Sequence, residues 1–319
     1  MSPIPAISST NPVSYQSAKA KALQLINGFN TSAPPRSNHY PKLVKSIVVK
    51  DLNGTLNNTS SIITQGKSSL CGPAAFFFSL ARVRPDIYAQ LVIDLYSQGR
   101  ARIKDLELQS SAKARQHKPI WMRQSDWMLL SSIKPEYDDP SEQIDGITLP
   151  GKLKEWFKKA GFGTVQDYTN LVFNKGLETL LQAQTDSQTG HTICLLADFD
   201  LFEQFVDKTG RSFFPNHWVV MTSDIRIRKF HEKSGQLDRP KTINPVMVKM
   251  IKSQIQSKQI EGITNGNYSP STETGDRILL DAFTWGKVYS PVISRINASQ
   301  DALLSYFLRG FYGYIKVKR

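Results

Sequence analysis

The order of helical and strand patterns along the chain is the feature that most constrains its fold. Between residues 72 and 160 apolar residues recur at helical spacing, with segments at 72–82, 86–97, 124–133 and 151–160. After about residue 190 the pattern changes to short apolar or alternating runs that predict strands, at 191–199, 217–223, 225–230, 277–283 and 311–317. Helices first and strands second are typical of an α+β fold rather than of alternating βαβ units.

The length and composition predict one large globular body with a leader. The chain has 319 residues, of which 40% are hydrophobic, so it can bury a substantial core. Residues 1–40 are rich in Ser, Pro and Asn and contain no acidic residue, which predicts a flexible leader that is disordered or serves secretion. Within it, Ala18, Leu23, Ile26 and Phe29 recur at helical spacing, so a docked helix over 14–29 is the alternative. The remaining 41–319 is expected to be one domain that carries a basic insertion near 226–276.

The positive charge is concentrated in three segments. The net charge is +13, but residues 1–50, 226–259 and 309–319 alone contribute +6, +7 and +4. The remainder of the chain is therefore slightly acidic, whereas an enzyme of nucleic acids usually carries basic residues around its site. The sequence predicts no specific nucleic-acid partner, and the basic segments favour solubility, delivery or weak docking on an acidic surface.

Several other classes of protein are disfavoured. Two cysteines in so long a chain do not make a disulfide framework, and no apolar run reaches the roughly 18 residues of a membrane span. The N-terminus lacks the pattern of a secretory signal peptide. The five histidines and two cysteines are scattered without ligand spacing, so we expect no metal, and no motif indicates a cofactor.

The strongest local motif surrounds Cys71, in the segment Gln65-Gly66-Lys67-Ser68-Ser69-Leu70-Cys71-Gly72-Pro73-Ala74. A thiol at the start of an apolar helix meets unpaired N–H groups, which lower its pKa and raise the thiolate fraction. The small residue Gly72 would leave the sulfur approachable. Gln65 could donate an N–H to an oxyanion that develops beside Cys71. The alternative is that Cys71 is a small buried hydrophobe.

A histidine and a carboxylate later in the chain complete a candidate triad. His217 opens a highly apolar strand, 146 residues after Cys71. Asp281 ends another apolar run, shortly before a Thr-Trp-Gly turn, and could accept the second ring N–H of His217. Asp224, seven residues after His217, is the alternative orienting residue.

Together these residues resemble the papain-like cysteine peptidase superfamily: Gln, then Cys at a helix start, then His opening a strand, then a polar residue before Trp-Gly. The Cys-Gly-Pro-Ala and His-Trp-Val-Val forms are most similar to bacterial members, including transporter-linked leader peptidases and secreted effectors or toxins. The orienting Asn of papain's relatives would fall on Phe283, so Asp281 takes that role. The resemblance implies a helical half, with Gln65 and Cys71, packed on a twisted antiparallel sheet with His217.

The resemblance also implies a function. It predicts a cysteine hydrolase that cleaves an amide of a protein or peptide, made in a bacterial cytoplasm and delivered into a target cell by a specialised secretion system. Secretion machinery and an immunity or chaperone protein are its expected partners.

Other functions remain open at this stage. The same triad could deamidate glutamine, act as a transglutaminase-like acyl transferase, or cleave peptidoglycan amides. From another class, a non-enzymatic protein could use the predicted basic helix at 244–258 and the segment 311–319 to bind anionic membrane or nucleic acid.

Overall fold

The computed structural model describes residues 14–32, 34–57, 63–65, 68–136, 138, 148–201, 214–231, 234–257, 275–284, 286–289 and 302–318. These residues form α-helices and antiparallel sheets, so the predicted mixture of helix and strand is confirmed. The chain divides into two compact units. The first comprises Met1–Val165, Thr284–Val288 and Val317–Arg319, and the second comprises Gln166–Phe283 and Tyr289–Lys316.

The first half of the chain is mainly helical. Its elements are α1 (Tyr15–Ser32), α2 (Lys45–Asn57), α3 (Cys71–Val83), α4 (Pro85–Gln98), β1 (Ala101–Ile103), β2 (Leu106–Leu108), α5 (Ala112–Arg115), α6 (Gln124–Ile133) and α7 (Pro150–Lys159). The predicted bounds of α6 are confirmed, and those of α4 and α7 differ by one residue at each end. α2 and the β1–β2 hairpin were not predicted. In α2, two buried polar residues, Asp51 and Thr55, interrupt the apolar stripe.

Helix α3 lies at the centre of the first unit, where it contacts α4, α6 and α7. Every residue from Cys71 to Ala81 is buried, and the Phe76 ring packs against the Phe157 ring of α7 with 5.1 Å between centroids. Pro73 fits because a proline in the first turn removes no intrahelical hydrogen bond. Such burial all around a helix explains its nearly continuous apolar sequence.

A single residue joins α3 to α4. Arg84 ends the first helix with its N–H on the Leu80 carbonyl and begins the second by accepting from the Tyr88 N–H. Its guanidinium donates two hydrogen bonds, of 2.8 and 2.7 Å, to the buried carboxylate of Asp86. The sharp connection therefore keeps both charges paired inside the protein.

Helix α1 corrects the expectation of a flexible leader over residues 1–40. Ala18, Ala22, Ile26 and Phe29 are buried along one stripe, where α1 packs on α4 and α2. The Phe29 ring meets the Tyr96 ring edge-on at 5.1 Å. A flexible leader is therefore wrong for residues 15–32, whereas the alternative of a docked helix over 14–29 is confirmed. Residues 1–13 lie outside the described part of the chain.

The remaining elements are mostly strands: β3 (Thr164–Asp167), α8 (Leu177–Gln188), β4 (Thr192–Ala197), β5 (His217–Met221), β6 (Arg226–Arg228), β7 (Phe230–His231), β8 (Gln236–Leu237), β9 (Lys241–Thr242), α9 (Pro245–Ser257), β10 (Arg277–Leu279), β11 (Ala282–Thr284), β12 (Lys287–Tyr289), β13 (Ala302–Leu303), α10 (Leu304–Arg309) and β14 (Phe311–Lys318). One sheet has the order β12-β11-β5-β4-β14-β3, and a second has the order β13-β10-β6-β9.

Strands β4 and β5 form the centre of the larger sheet. They pair antiparallel, with Cys194 opposite Val220 and Ala197 opposite His217. All five residues of β5 and five of the six in β4 are buried. Strands buried on both faces need continuous apolar runs, which is why both were predictable from the sequence.

Two stretches differ from their predicted form. The segment 277–283 is not one strand, because β10 and β11 belong to different sheets and Asp281 lies between them. Within the basic stretch 226–276, β6 and β9 pair with each other and α9 packs on α8, so its described part belongs to the second unit. Residues 258–274 of this stretch lie outside the described residues.

Among the residues that the structure describes, no helix combines the length and the apolar character that a membrane crossing requires.

The docking of α1 leads to a stability prediction. Ile26→Ala should lower the free energy of unfolding by about 2–4 kcal/mol, because it opens a cavity under a buried side chain. The matched control Gln24→Ala, on the exposed face of the same helix, should change it by less than about 0.5 kcal/mol. Urea unfolding measures both, and equal values for the two variants would show that α1 does not contribute to the core.

Candidate active site

Cys71 is the first residue of α3 and is only 3% exposed. The Ala74 N–H donates to the Leu70 carbonyl at 2.9 Å, which closes the first helical turn, and Leu70 supplies no side-chain cap. The first N–H groups of a helix lack intrahelical partners, and their dipoles favour negative charge. The predicted placement of the thiol at a helix start is therefore confirmed.

Gly72 is required by close packing rather than by access to the sulfur. A Cβ built on Gly72 would lie 2.4 Å from the Cβ of Thr148, so the Thr148 side chain fills the space that a larger residue would need. This contact concerns the space at Gly72, so the expectation that Gly72 leaves the sulfur of Cys71 approachable stays a prediction.

Gln65 is held in a tight turn that leads to Cys71. Its Nε2 donates to the Ser68 carbonyl at 3.0 Å, and the Ser68 hydroxyl donates back to the Gln65 carbonyl. The residue is buried, and a primary amide carries two N–H donors, of which this contact uses one. The structure thus fixes a side-chain amide beside the backbone three residues before Cys71.

A buried ion pair holds the residue before Gln65. The Thr64 N–H donates to Asp126 Oδ2 at 2.9 Å, and Arg123 donates to both oxygens of that carboxylate at 2.7 and 2.8 Å. Burial acts to lower the pKa of Arg123, but the Asp126 carboxylate outweighs it and raises that pKa. Sequence reasoning missed this pair, because nothing local links α6 to Thr64.

Gly286, of the Thr-Trp-Gly turn, lies against Thr64. Its φ of +79° is in the left-handed region, and a Cβ there would lie 2.6 Å from Thr64 Oγ1 and 3.0 Å from Thr64 Cα. Only glycine combines this conformation with such a close approach. Trp285 lies outside the described residues.

His217 is the first residue of β5 and is only 2% exposed. The edge of its ring meets the ring of Phe199 at 5.4 Å between centroids. Burial lowers the pKa of His217 from 6.5 to about 3. The imidazole is therefore neutral at pH 7, the state in which it can accept a proton.

Asp281 does not lie near His217, so the prediction that Asp281 orients His217 is wrong. In the antiparallel pairing of β11 with β5, Ala282 is opposite Met221, and the Thr222 N–H donates to the Asp281 carbonyl at 2.8 Å. This places Asp281 beyond the far end of β5, five residues from His217, or roughly 16 Å at about 3.3 Å per residue.

The contacts of Asp281 and Asp224 serve other parts of the second unit. The Asp281 carboxylate lies 3.6 Å from Arg226, and its N–H donates to the Ser223 hydroxyl. Asp224 accepts a 2.6 Å hydrogen bond from Gln184 at the same end of the sheet. Neither carboxylate is therefore placed to orient His217. The prediction for Asp281 failed because the apolar pattern at 277–283 did not reveal that the chain changes sheet at this residue.

Asp198 is the carboxylate that sequence reasoning missed at the His217 end of the sheet. It follows Ala197, the partner of His217, and is buried. Its N–H donates to the Gly310 carbonyl at 2.8 Å, and its Oδ2 accepts from the Phe214 N–H. Burial first and the Asp198 charge second raise the pKa of Tyr312 to about 12. Asp198 thus fixes the chain that enters β5.

The residues of the predicted site fall in both units. Gln65 and Cys71 belong to the first, whereas His217, Asp224 and Asp281 belong to the second. Over the described ranges, no group of three or more His, Cys, Asp or Glu side chains is arranged to hold a metal ion.

Comparison with known proteins identifies no family for this chain. No protein-family model matches the sequence, and no curated protein matches it. The placement of Cys71, Gln65 and His217 is therefore the evidence on which a function can be proposed.

The low pKa of His217 predicts a specific pH dependence of stability. The unfolded chain protonates this histidine near pH 6.5 and the folded chain near pH 3, so its contribution is complete above about pH 6.5 and is lost as the pH falls towards 3. Stability should fall by up to about 1.4 kcal/mol per pH unit within this window.

The variant His217→Gln should lack this component, while His231→Gln, at an exposed position, should keep the slope of the unsubstituted protein. Denaturant unfolding at several pH values between about 7.5 and about 4.5 measures the difference. Identical slopes for the parent protein and His217→Gln would refute the argument.

The contact of Gly286 with Thr64 leads to a second prediction. Gly286→Ala should destabilise the protein by about 1–3 kcal/mol more than Gly235→Ala. Gly235 also has a positive φ, of +67°, but no atom lies within 4 Å of its built Cβ. The control thus contains the conformational strain without the close approach. Urea unfolding of both variants decides, and equal losses would count against the packing of Gly286 on Thr64.

Proposed function

We propose that the protein is a papain-like cysteine hydrolase that cleaves an amide of a protein or peptide substrate. Cys71 is the nucleophile, His217 is the general base, and Gln65 is an oxyanion donor. The observation that carries the proposal is the start of α3, where a buried thiol is the first helical residue and a fixed glutamine amide lies in the turn before it.

The proposed reaction begins with the neutral imidazole of His217, which takes the proton of the Cys71 thiol. The thiolate attacks the substrate carbonyl carbon, and the resulting oxyanion accepts from the Cys71 N–H and from Gln65 Nε2. Cleavage of the C–N bond releases an amine that takes the proton back from the imidazolium. Water, deprotonated by His217, then attacks the thioester and releases the acid and the thiol.

Three local observations support these roles. The N-terminus of α3 favours a negative sulfur, because its open N–H groups carry partial positive charge. Burial also keeps His217 neutral, which is the state of a base. Asp126 and Gly286 hold Thr64 on two sides, so the position of Gln65 is restricted.

The proposal names a Cys–His pair rather than the full triad. Asp281 is left out because it lies at the far end of β5, where it contacts Arg226 and Ser223. The Phe199 ring contacts the His217 ring, and the pairing with Ala197 holds the His217 backbone. Catalysis by such a pair needs no metal or cofactor.

The biological setting remains part of the proposal and rests on the resemblance of the motifs. It is that of a bacterial effector or toxin, delivered by a specialised secretion system and attended by secretion, chaperone or immunity proteins. Glutamine deamidation and acyl transfer use the same residues and differ in the acyl donor and acceptor. The product distinguishes them, because hydrolysis of a peptide bond creates a new N-terminus whereas deamidation releases ammonia.

Selective alkylation tests the nucleophile. At neutral pH, iodoacetamide should modify Cys71 at least about 10-fold faster than Cys194, because the thiolate is the reacting species and only Cys71 lies at a helix N-terminus. Cys194 is a matched control, since both thiols are buried, at 3% and 0% exposure. Mass spectrometry of peptides from the labelled protein gives both rates.

In the same experiment, His217→Gln should slow the alkylation of Cys71 by about 10-fold and leave Cys194 unchanged. Circular dichroism shows that the variant is folded. If Cys71 reacts no faster than Cys194, and His217→Gln has no effect, the proposed function is wrong.

A further inference from the structure

A groove with a volume of about 520 Å³ lies between α1 and α4. Small-molecule sites in proteins have volumes of roughly 300–1,000 Å³. The residues that line the groove recur at helical spacing, from Lys21 to Ser32 on α1 and from Gln90 to Ser97 on α4. The groove therefore follows both helices, and all of its lining belongs to the first unit.

Gly28 opens the floor of this groove. It lies in the interior of α1, where a glycine is unfavourable relative to alanine because it loses more backbone freedom on folding. A Cβ built on Gly28 meets no atom within 4 Å, so no neighbouring group requires a glycine here. The missing side chain instead leaves space in the groove, which the apolar side chains of Leu25 and Ile93 also line.

The groove is narrow for its length. The stretch of α1 from Lys21 to Ser32 is about 16 Å long, so the volume of about 520 Å³ corresponds to a mean cross-section of about 30 Å². A helix with its side chains is about 10–12 Å wide, or about 80–110 Å² in section, and an extended strand occupies about 4.8 by 10 Å. The groove therefore fits a single hydrocarbon chain better than it fits a polypeptide.

Lys21 supplies a positive charge at one end. Among the described residues that line the groove it is the one charged residue, and its side chain is 58% exposed. Its Nζ lies 3.9 Å from Asp86 Oδ2, but Arg84 already donates to both oxygens of that carboxylate at 2.8 and 2.7 Å. Two cations and one carboxylate leave a net charge of +1, and the exposed member is Lys21.

The other carboxylate of α4 stands away from this end. Helix α1 contains no acidic residue, and α4 contains Asp86 and Asp94. Asp94 is about 12 Å beyond Asp86 along the helix axis, and its Oδ1 accepts from Gln90 Nε2 at 2.8 Å. An anionic group bound beside Lys21 would therefore not meet the Asp94 carboxylate.

We propose that the groove binds a long-chain carboxylate, with the carboxylate group on Lys21 and the hydrocarbon chain along Leu25, Gly28 and Ile93. A narrow apolar wall with a cation at one end is complementary to such a molecule. None of these residues belongs to the proposed catalytic site, so the inference does not rest on the proposed function.

Isothermal titration calorimetry of the full chain with dodecanoate, below the concentration at which it forms micelles, tests the proposal. Dodecanoate should bind with a dissociation constant below about 1 mM. Hexanoate should bind at least about 10-fold more weakly, because it buries fewer methylene groups. Dodecyltrimethylammonium, a cation with the same chain, should also bind at least about 10-fold more weakly, because Lys21 repels it.

Filling the groove should block the site without harming the fold. Gly28→Leu should weaken the binding of dodecanoate at least about 10-fold, since the new side chain occupies the floor of the groove. The variant should be no less stable to urea than the unsubstituted protein, because leucine favours a helix and its Cβ meets no atom. The matched control Asn27→Leu adds the same side chain at an exposed position outside the lining, and should change the dissociation constant by less than about 2-fold.

Removing the charge tests the position of the carboxylate. Lys21→Gln should weaken the binding of dodecanoate by about 3- to 10-fold. The control Lys19→Gln, on the same helix but outside the lining, should change it by less than about 2-fold.

Three results would overturn the proposal. If the unsubstituted protein does not bind dodecanoate, the groove takes no such ligand. If Gly28→Leu and Lys21→Gln bind it as the unsubstituted protein does, the ligand lies elsewhere on the chain. Equal binding of dodecanoate and dodecyltrimethylammonium would show that Lys21 does not select a carboxylate.

Discussion

The burial of α3 from its first residue is the constraint on which the rest of the first unit depends. A helix that begins inside a protein must place its open N–H groups away from bulk water. Cys71 stands at this end, so the open N–H groups of the helix start lie beside a thiol. The turn that carries Gln65 is in turn fixed by Thr64, which the Arg123–Asp126 pair and Gly286 hold in place.

The second unit likewise buries a titratable side chain at the start of an element, the imidazole of His217. His217 begins a strand that is buried throughout, and burial keeps its ring uncharged. The neighbouring Asp198 binds backbone N–H groups at the strand entrance, and Asn216 accepts from the Phe199 N–H at 2.7 Å. Polar side chains thus fix the chain around the histidine. Each unit therefore carries one group of the proposed reaction, a thiol at a helix start in the first and a neutral imidazole in the second.

Much of this arrangement could be predicted from periodicity alone. Helix α6 and the starts of α3 and β5 lie where the apolar pattern predicted them. Those elements are buried, so their apolar residues follow a regular pattern. What failed depends on contacts between distant residues. The shift from one sheet to another at Asp281 leaves no mark in an apolar run, and the bond from Asp126 to Thr64 spans 62 residues. The apolar stripe of α1 was visible in its spacing, but the sequence did not reveal that α4 and α2 cover it.

The one-residue connection at Arg84 bears on the order in which the protein folds during synthesis. Contacts between α3 and α4 join residues that are close in sequence, so they require little loop closure and can form early. The chain up to Gln98 leaves the ribosome more than a hundred residues before His217 does. Helices α3 and α4 can therefore assemble before the proposed base has been translated. The nascent chain would then carry a formed helix start at Cys71 without His217.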